Sequence, residues 1–170
     1  MNIKFDIPLF SFKLSTKRST ENDPISQSTI EKCIRIALNA LERKRDRDGN
    51  ALILHSLMVG SMGNTDAEKC VGFLHDVVED SEWSFEELLE EDIPTEIIDV
   101  LRLCTHEKDI GYYDYIQRII DSGNETALNV KLNDLHHNIA RGKAYGYSEL
   151  VEKYEKALGL IERALDKNKV

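Results

Sequence analysis

Three short stretches of this chain carry side chains that can do chemistry together. They are His55, then His75-Asp76 with Glu79-Asp80, then Lys131-Leu132-Asn133-Asp134. Each lies within an apolar stretch patterned for a helix. Buried ionisable groups are costly unless they are paired or bound to a metal. For any one histidine alone, a hydrogen-bonded core residue is the plainer reading. For the set, a metal that takes mixed nitrogen and oxygen donors is the simplest account. Adjacent residues on a helix point about 100° apart, so His75 and Asp76 can grip one ion only at a helix end or a bend. His55 and Asp134 must arrive from two other helices. Two neutral imidazoles and two carboxylates suit manganese, iron or zinc, with room left for water.

The elements that must position these residues read as helices. Ser28-Thr29-Ile30-Glu31 predicts a capping box, followed by Ile30, Ile34, Ala37, Leu38 and Leu41 at helical spacing up to a break at Asp48-Gly49. A second helix carries Leu52, His55, Leu57 and Val59 and ends near Gly63. Thr65 to Glu68 and Ser84 to Glu87 predict two more capping boxes, and Pro94 suits the first turn of another helix. Later helices are marked by Tyr112 to Ile119, by Ala127 to Ile139, which includes Asp134, and by Tyr147 to Leu165. Residues 1–27 read as a separate arm or linker, with Ile3, Phe5, Ile7 and Leu9 alternating as in a short strand. Residues 28–170 read as one all-α, orthogonally packed helical bundle.

Composition narrows the function. The 170 residues fit one domain with one sizeable core. The net charge of −9 argues against a nucleic-acid partner, which needs a basic face, but leaves room for a small phosphorylated ligand. Cys33, Cys70 and Cys104 are far apart and form no Cys-x-x-Cys pair, which predicts reduced core thiols in a cytoplasmic protein. No apolar run reaches the roughly 18 residues of a membrane span. Asp6 and Pro8 stand where a signal peptide would be apolar. No GxxxxGK[ST] loop occurs, so phosphate handling by a P-loop is excluded. The sequence carries no signal for an oligomeric state.

The motifs resemble the HD superfamily of metal-dependent phosphohydrolases. Within it they are most similar to the hydrolase domain of the RelA/SpoT group, which removes pyrophosphate from (p)ppGpp. That pattern reads H, then HDxxED, then KLxDxxxN. It is met by His55, by His75, Asp76, Glu79 and Asp80, and by Lys131, Leu132, Asp134 and Asn138. The stretch FLHDVVEDS is the most specific part, and Gly49 stands six residues before His55, as the family's turn glycine does. The resemblance runs over roughly residues 30–145. It implies the HD helical bundle and a divalent metal, Mn2+ first with Fe or Zn as alternatives, on His55, His75, Asp76 and Asp134. It implies that Glu79 and Asp80 orient water and move protons. It implies that Asn138 contacts the nucleotide or braces the site, with Lys131 as a further substrate contact.

The resemblance has gaps. Asp46 stands where the family usually carries an Arg that holds the guanine nucleotide, with Arg45 and Arg47 flanking it as candidate phosphate contacts. Ala51-Leu52 replaces the family's Pro-Tyr, and Ser56 its following Pro. The expected activity is therefore a (p)ppGpp 3′-pyrophosphohydrolase-like reaction on a phosphorylated nucleotide, with the substrate less defined than the chemistry. A carboxylate at position 46 would repel polyphosphate, so an Asp46→Arg change is expected to strengthen (p)ppGpp binding. The alternatives are a phosphatase on another nucleotide such as NADPH, a non-catalytic nucleotide sensor, and an interaction module that uses residues 1–27. His106 at a helix end, His136 and His137 beside Asp134, and Tyr112, Tyr113 and Tyr115 have plain structural readings. The tyrosines are also candidates to wall a base pocket.

Overall fold

The structure, a computed structural model, describes residues 25–167. The arm and its predicted strand lie mostly outside these residues. Nine helices follow in order among them: α1 (Gln27–Ala40), α2 (Ile53–Ser61), α3 (Asp66–Leu74), α4 (Val77–Asp80), α5 (Phe85–Glu90), α6 (Thr95–Cys104), α7 (Tyr112–Ser122), α8 (Glu125–Tyr145) and α9 (Ser148–Lys167). No strand occurs among the described residues, only an isolated antiparallel bridge between Arg45 and Ala51. The fold is the all-α bundle expected from the sequence. No described helix is long and apolar enough to cross a membrane.

Local chemistry sets the helix starts. The cap of α1 is Ser26 rather than Ser28. Ser26 Oγ accepts the Thr29 N–H at 3.3 Å, and Thr29 Oγ1 accepts the Ser26 N–H at 3.4 Å. Ile25 before the cap and Ile30 in the fourth helical position are both buried, the placement of a hydrophobic staple. The predicted box at Ser84 forms in full. The one at Thr65 forms by half. Thr65 accepts the Glu68 N–H, while the Glu68 carboxylate accepts the Asn64 N–H and the Asn129 amide instead. Glu68 is thereby buried as a tie between α3 and α8. Pro94 caps α6 from outside its first turn.

The first helix stops at Ala40, well before Asp48-Gly49. Asp46 is the reason the chain turns there. Its Oδ1 accepts the backbone N–H groups of Asp48 and Asn50, both at 2.9 Å, and such local bonds compete with a helical ladder. Gly49 completes the turn at φ +82°.

Helices α2, α3 and α8 pack on one another, with α1 against α3 and α9 against α8. The α2–α3 contact is backbone to backbone. A Cβ added at Gly72 would lie 2.7 Å from Gly60 Cα, and one at Gly60 would lie 2.2 Å from the Phe73 ring. Phe73 is itself buried. Gly72→Ala should therefore force the two helices apart. Overpacking of a filled core typically costs about 1–3 kcal/mol. Urea unfolding of the variant should show a loss on that scale, and an unchanged midpoint would mean that the helices separate freely.

Candidate metal centre and substrate cleft

The close approach of α2 and α3 brings His55 on α2 to the break that follows α3. His75 is the last residue before the break, and Asp76 opens α4. The bend lets adjacent side chains face one point. His55 Nε2 and His75 Nε2 are 3.2 Å apart, and Asp76 Oδ1 is 3.1 Å from His75 Nε2. The donor atoms of His55, His75 and Asp76 all lie within 4.8 Å of one another. Asp134, from α8, closes the group with Oδ1 3.1 Å from His55 Nε2 and 4.0 Å from His75 Nε2. Both histidines and Asp134 are buried.

The outer nitrogens of both rings are already occupied. His75 Nδ1 donates to the Gly72 carbonyl at 2.8 Å, which leaves its Nε2 lone pair facing the cluster. His55 Nδ1 and His137 Nδ1 are 2.6 Å apart. Burial and the charge of His55 lower the His137 pKa to about 4, so His137 is neutral and can accept a hydrogen bond from His55. Such outer hydrogen bonds are what fix a metal-binding imidazole's tautomer and angle. Burial alone would lower the pKa of His55, yet the Asp134 hydrogen bond and the charges of Asp76 and Asp134 raise it. A field that holds a proton there also holds a cation. Two imidazole lone pairs and two carboxylates facing one small volume fit a divalent metal with mixed nitrogen and oxygen preference.

Lys131 and Asn138 turn toward Asp134. Lys131 Nζ donates to Asp134 Oδ2 at 2.6 Å, and Asn138 Nδ2 donates to Asp134 Oδ1 at 2.5 Å. Burial would raise the Asp134 carboxyl, but Lys131 and the His55 hydrogen bond outweigh it and hold the pKa well below the ordinary range. Burial likewise opposes the charge on Lys131, and Asp134 reverses it. The two residues anticipated as substrate contacts thus aim a carboxylate, because they lie three residues before and four after it on one helix face.

Glu79 and Asp80 open into the cleft beside the cluster and remain solvent-accessible. Partial burial by the cleft wall raises both carboxyl pKa values, with the Asp76 charge adding to it. Glu79 Oε2 accepts the backbone N–H of His106 at 3.1 Å. The His106 ring stacks on Tyr115 and bonds to the Ile110 carbonyl, so its part in the site is played by its main chain.

The cleft that holds these groups has a volume of about 480 Å3. Arg45 and Arg47 line it from the turn before α2, with the Arg47 guanidinium 5.6 Å from the Tyr147 ring centre. Of the tyrosines, Tyr115 is core, Tyr113 is exposed, and Tyr112 is a cleft wall. Asp46 does not present a free carboxylate to the cleft. Besides its two backbone bonds, its Oδ2 lies 2.9 Å from Arg141 Nη2 on α8. The same Arg141 nitrogen is 2.9 Å from Asp48 Oδ2, and Asp48 Oδ1 accepts the Tyr147 hydroxyl. The turn is bolted to the α8–α9 corner. Arg141 stands two helical turns past Asp134, a spacing that carries no signal without knowing that the turn folds back onto α8.

No family model matches this chain, and no curated protein does. Among solved structures it is similar to one described as a metazoan ortholog of SpoT that hydrolyzes ppGpp and plays a role in starvation responses. The two share 19% identity and superpose with a TM-score of 0.59, over 81% of this chain and 96% of that one. They have the same fold. At this identity the likeness to the SpoT ortholog speaks for the helical scaffold, and the residues above speak for themselves.

The Asp46 contacts reverse the expectation for Asp46→Arg. The variant would set two guanidinium groups against each other and leave two backbone N–H groups without their acceptor. A typical hydrogen bond of this kind contributes about 0.5–1.5 kcal/mol net. Chemical denaturation should show a loss of roughly 2 kcal/mol or more, and nucleotide binding should weaken along with it. A variant as stable as the parent would show that the turn is held by other contacts.

Proposed function

We propose that this protein is a metal-dependent phosphohydrolase acting on a phosphorylated nucleotide, in the manner of a (p)ppGpp 3′-pyrophosphohydrolase. The observation that carries this is the convergence of His55, His75 and Asp76, with Asp134 at their side, next to the carboxylates of Glu79 and Asp80. The fold shared with a ppGpp hydrolase agrees with it. The three buried, unbridged cysteines suit a cytoplasmic setting.

His55, His75, Asp76 and Asp134 would hold one divalent ion. Manganese fits best, with iron or zinc as alternatives, since the donors are mixed imidazole and carboxylate. When bound, such an ion lowers the pKa of water toward neutrality and polarises a phosphoryl oxygen. The remaining work falls to the chain's own groups. Lys131 and Asn138 keep Asp134 ionised and aimed. Glu79, steadied by the His106 N–H, and Asp80 beside it are placed to orient water and take its proton. Arg45 and Arg47 supply positive charge for the phosphates at the mouth of the cleft. Phosphoryl transfer is mostly positioning and charge neutralisation, and these groups provide both.

A screen of phosphorylated nucleotides with manganese, including (p)ppGpp and NADPH and reading phosphate and pyrophosphate separately, tests the reading. Metal-dependent release from at least one nucleotide is expected. Binding without release from any would favour a nucleotide sensor. His75→Ala should lose stoichiometric metal by elemental analysis, because one of four protein donors is gone. Glu79→Gln should keep the metal while turnover falls about 10²–10⁴-fold, the usual contribution of a general acid–base group. Parent-level turnover in that variant would remove Glu79 from the mechanism.

A further inference from the structure

Helix α2 turns its polar side inward. From Ile53 to Met62 the chain carries no charged side chain, and its polar residues are His55, Ser56 and Ser61. His55 and Ser56 are buried, at 6% and 0% exposure, while Leu54 and Met58 stand open at 59% and 48%. Leu54 and Met58 are four residues apart and share a face of the helix. Met62, partly open, continues that face for another turn, and partly buried Leu57 flanks it. The metal cluster accounts for the inward histidine. It does not account for the outward apolar stripe. A helix that is apolar all round is normally covered on every side. Single exposed apolar side chains are ordinary on a protein surface, but a stripe over two turns marks a place of contact.

The sequence supplies a segment that matches this stripe. Three of the five phenylalanines, Phe5, Phe10 and Phe12, fall in the first twelve residues, with Ile3, Ile7 and Leu9 beside them. Apolar side chains at this density favour any surface that takes them out of water. Residues 15–24, which join this stretch to Ile25, are polar up to Pro24. Ten residues span about 33–36 Å when extended. Helix α1, which follows, has 14 residues and is therefore about 21 Å long. Its far end lies against the start of α2. There the Lys44 N–H donates to the Leu41 carbonyl and the Lys44 carbonyl accepts the Leu52 N–H, both at 3.1 Å. The polar run is long enough to carry residue 14 to Leu54. A tether of this kind holds its segment at an effective concentration on the order of millimolar, which favours it over a second copy in dilute solution.

We propose that residues 3–14 dock on the outer face of α2 of the same molecule, over Leu54, Met58 and Met62. The stripe is eight residues long from Leu54 to Met62, or about 12 Å. About four residues of extended chain cover that length. With apolar residues at every second position from Ile3 to Leu9, an extended chain turns all of them to one side, toward the stripe. The covered face is the back of the helix that carries His55, so the arm braces that helix from outside the cleft. This surface is independent of what the cleft binds.

Thiol labelling of the full chain tests the inference. Met58→Cys puts a reactive thiol in the stripe, while the native Cys33, Cys70 and Cys104 are buried. Its alkylation by N-ethylmaleimide should speed up by about tenfold when Phe5→Ser, Phe10→Ser and Phe12→Ser are made together, the ratio that corresponds to about 1.4 kcal/mol of docking. Leu54→Cys, one turn earlier, should respond in the same way and keeps the test decisive if Met58→Cys does not fold. Leu89→Cys, on the exposed side of α5, should label at the same rate with either arm. A rate at α2 that ignores the arm changes would overturn the inference. So would an equal rise at Leu89→Cys, which would report a general loosening of the fold. Protection that fades on dilution, with a parent that light scattering shows to be a dimer, would give the face to a second copy and overturn docking within one molecule.

Discussion

The distance between two histidines is set by two glycines. Gly60 on α2 and Gly72 on α3 let the helices meet backbone against backbone, with Phe73 filling the space beside them. His55 lies five residues before the first glycine and His75 three after the second. The Gly72 carbonyl also takes the His75 Nδ1 proton. A side chain at either glycine would widen the gap, and two rings whose Nε2 atoms now stand 3.2 Å apart would no longer face one point. The cluster is a property of interhelical spacing first and of side-chain identity second.

Around the cluster, charge is allotted in a definite order. The Asp134 carboxylate, which enters the cluster from α8, is held by a lysine and an amide of its own helix. The acids of the turn before α2 are held by one arginine, Arg141. Among the described residues, Glu79 and Asp80 beside the histidines, and Arg45, Arg47 and Lys153 along the cleft, form no ion pair.

Much of this was legible in the chain. The helical periodicity from residue 28 onward gives the fold class, since apolar residues recur with a period that only helices can bury on one face. The adjacency of His75 and Asp76 forces a bend between them, and the structure has one there. Short-range signals failed where two groups compete for one partner. Ser26 and Ser28 can each cap α1, and the reciprocal bond with Thr29 decides it. Glu68 has the spacing of a capping box, yet a backbone amide one residue earlier and Asn129 on another helix claim it. Lys131 and Asn138 carry motif positions whose partner, Asp134, lies within the same turn of helix. Asp46 illustrates the deeper limit. Its partner Arg141 is 95 residues away, and no local pattern reports a contact closed by the fold as a whole.

The bond that steadies Glu79 comes from the main chain at position 106 and not from the imidazole. Nearly any amino acid at that position supplies the same N–H, so the tie leaves no trace in residue identity. Proline is the exception, having no hydrogen to give. At position 106, then, proline alone would cut the tie to Glu79, while any other change would disturb only the ring's contacts with Tyr115 and the Ile110 carbonyl.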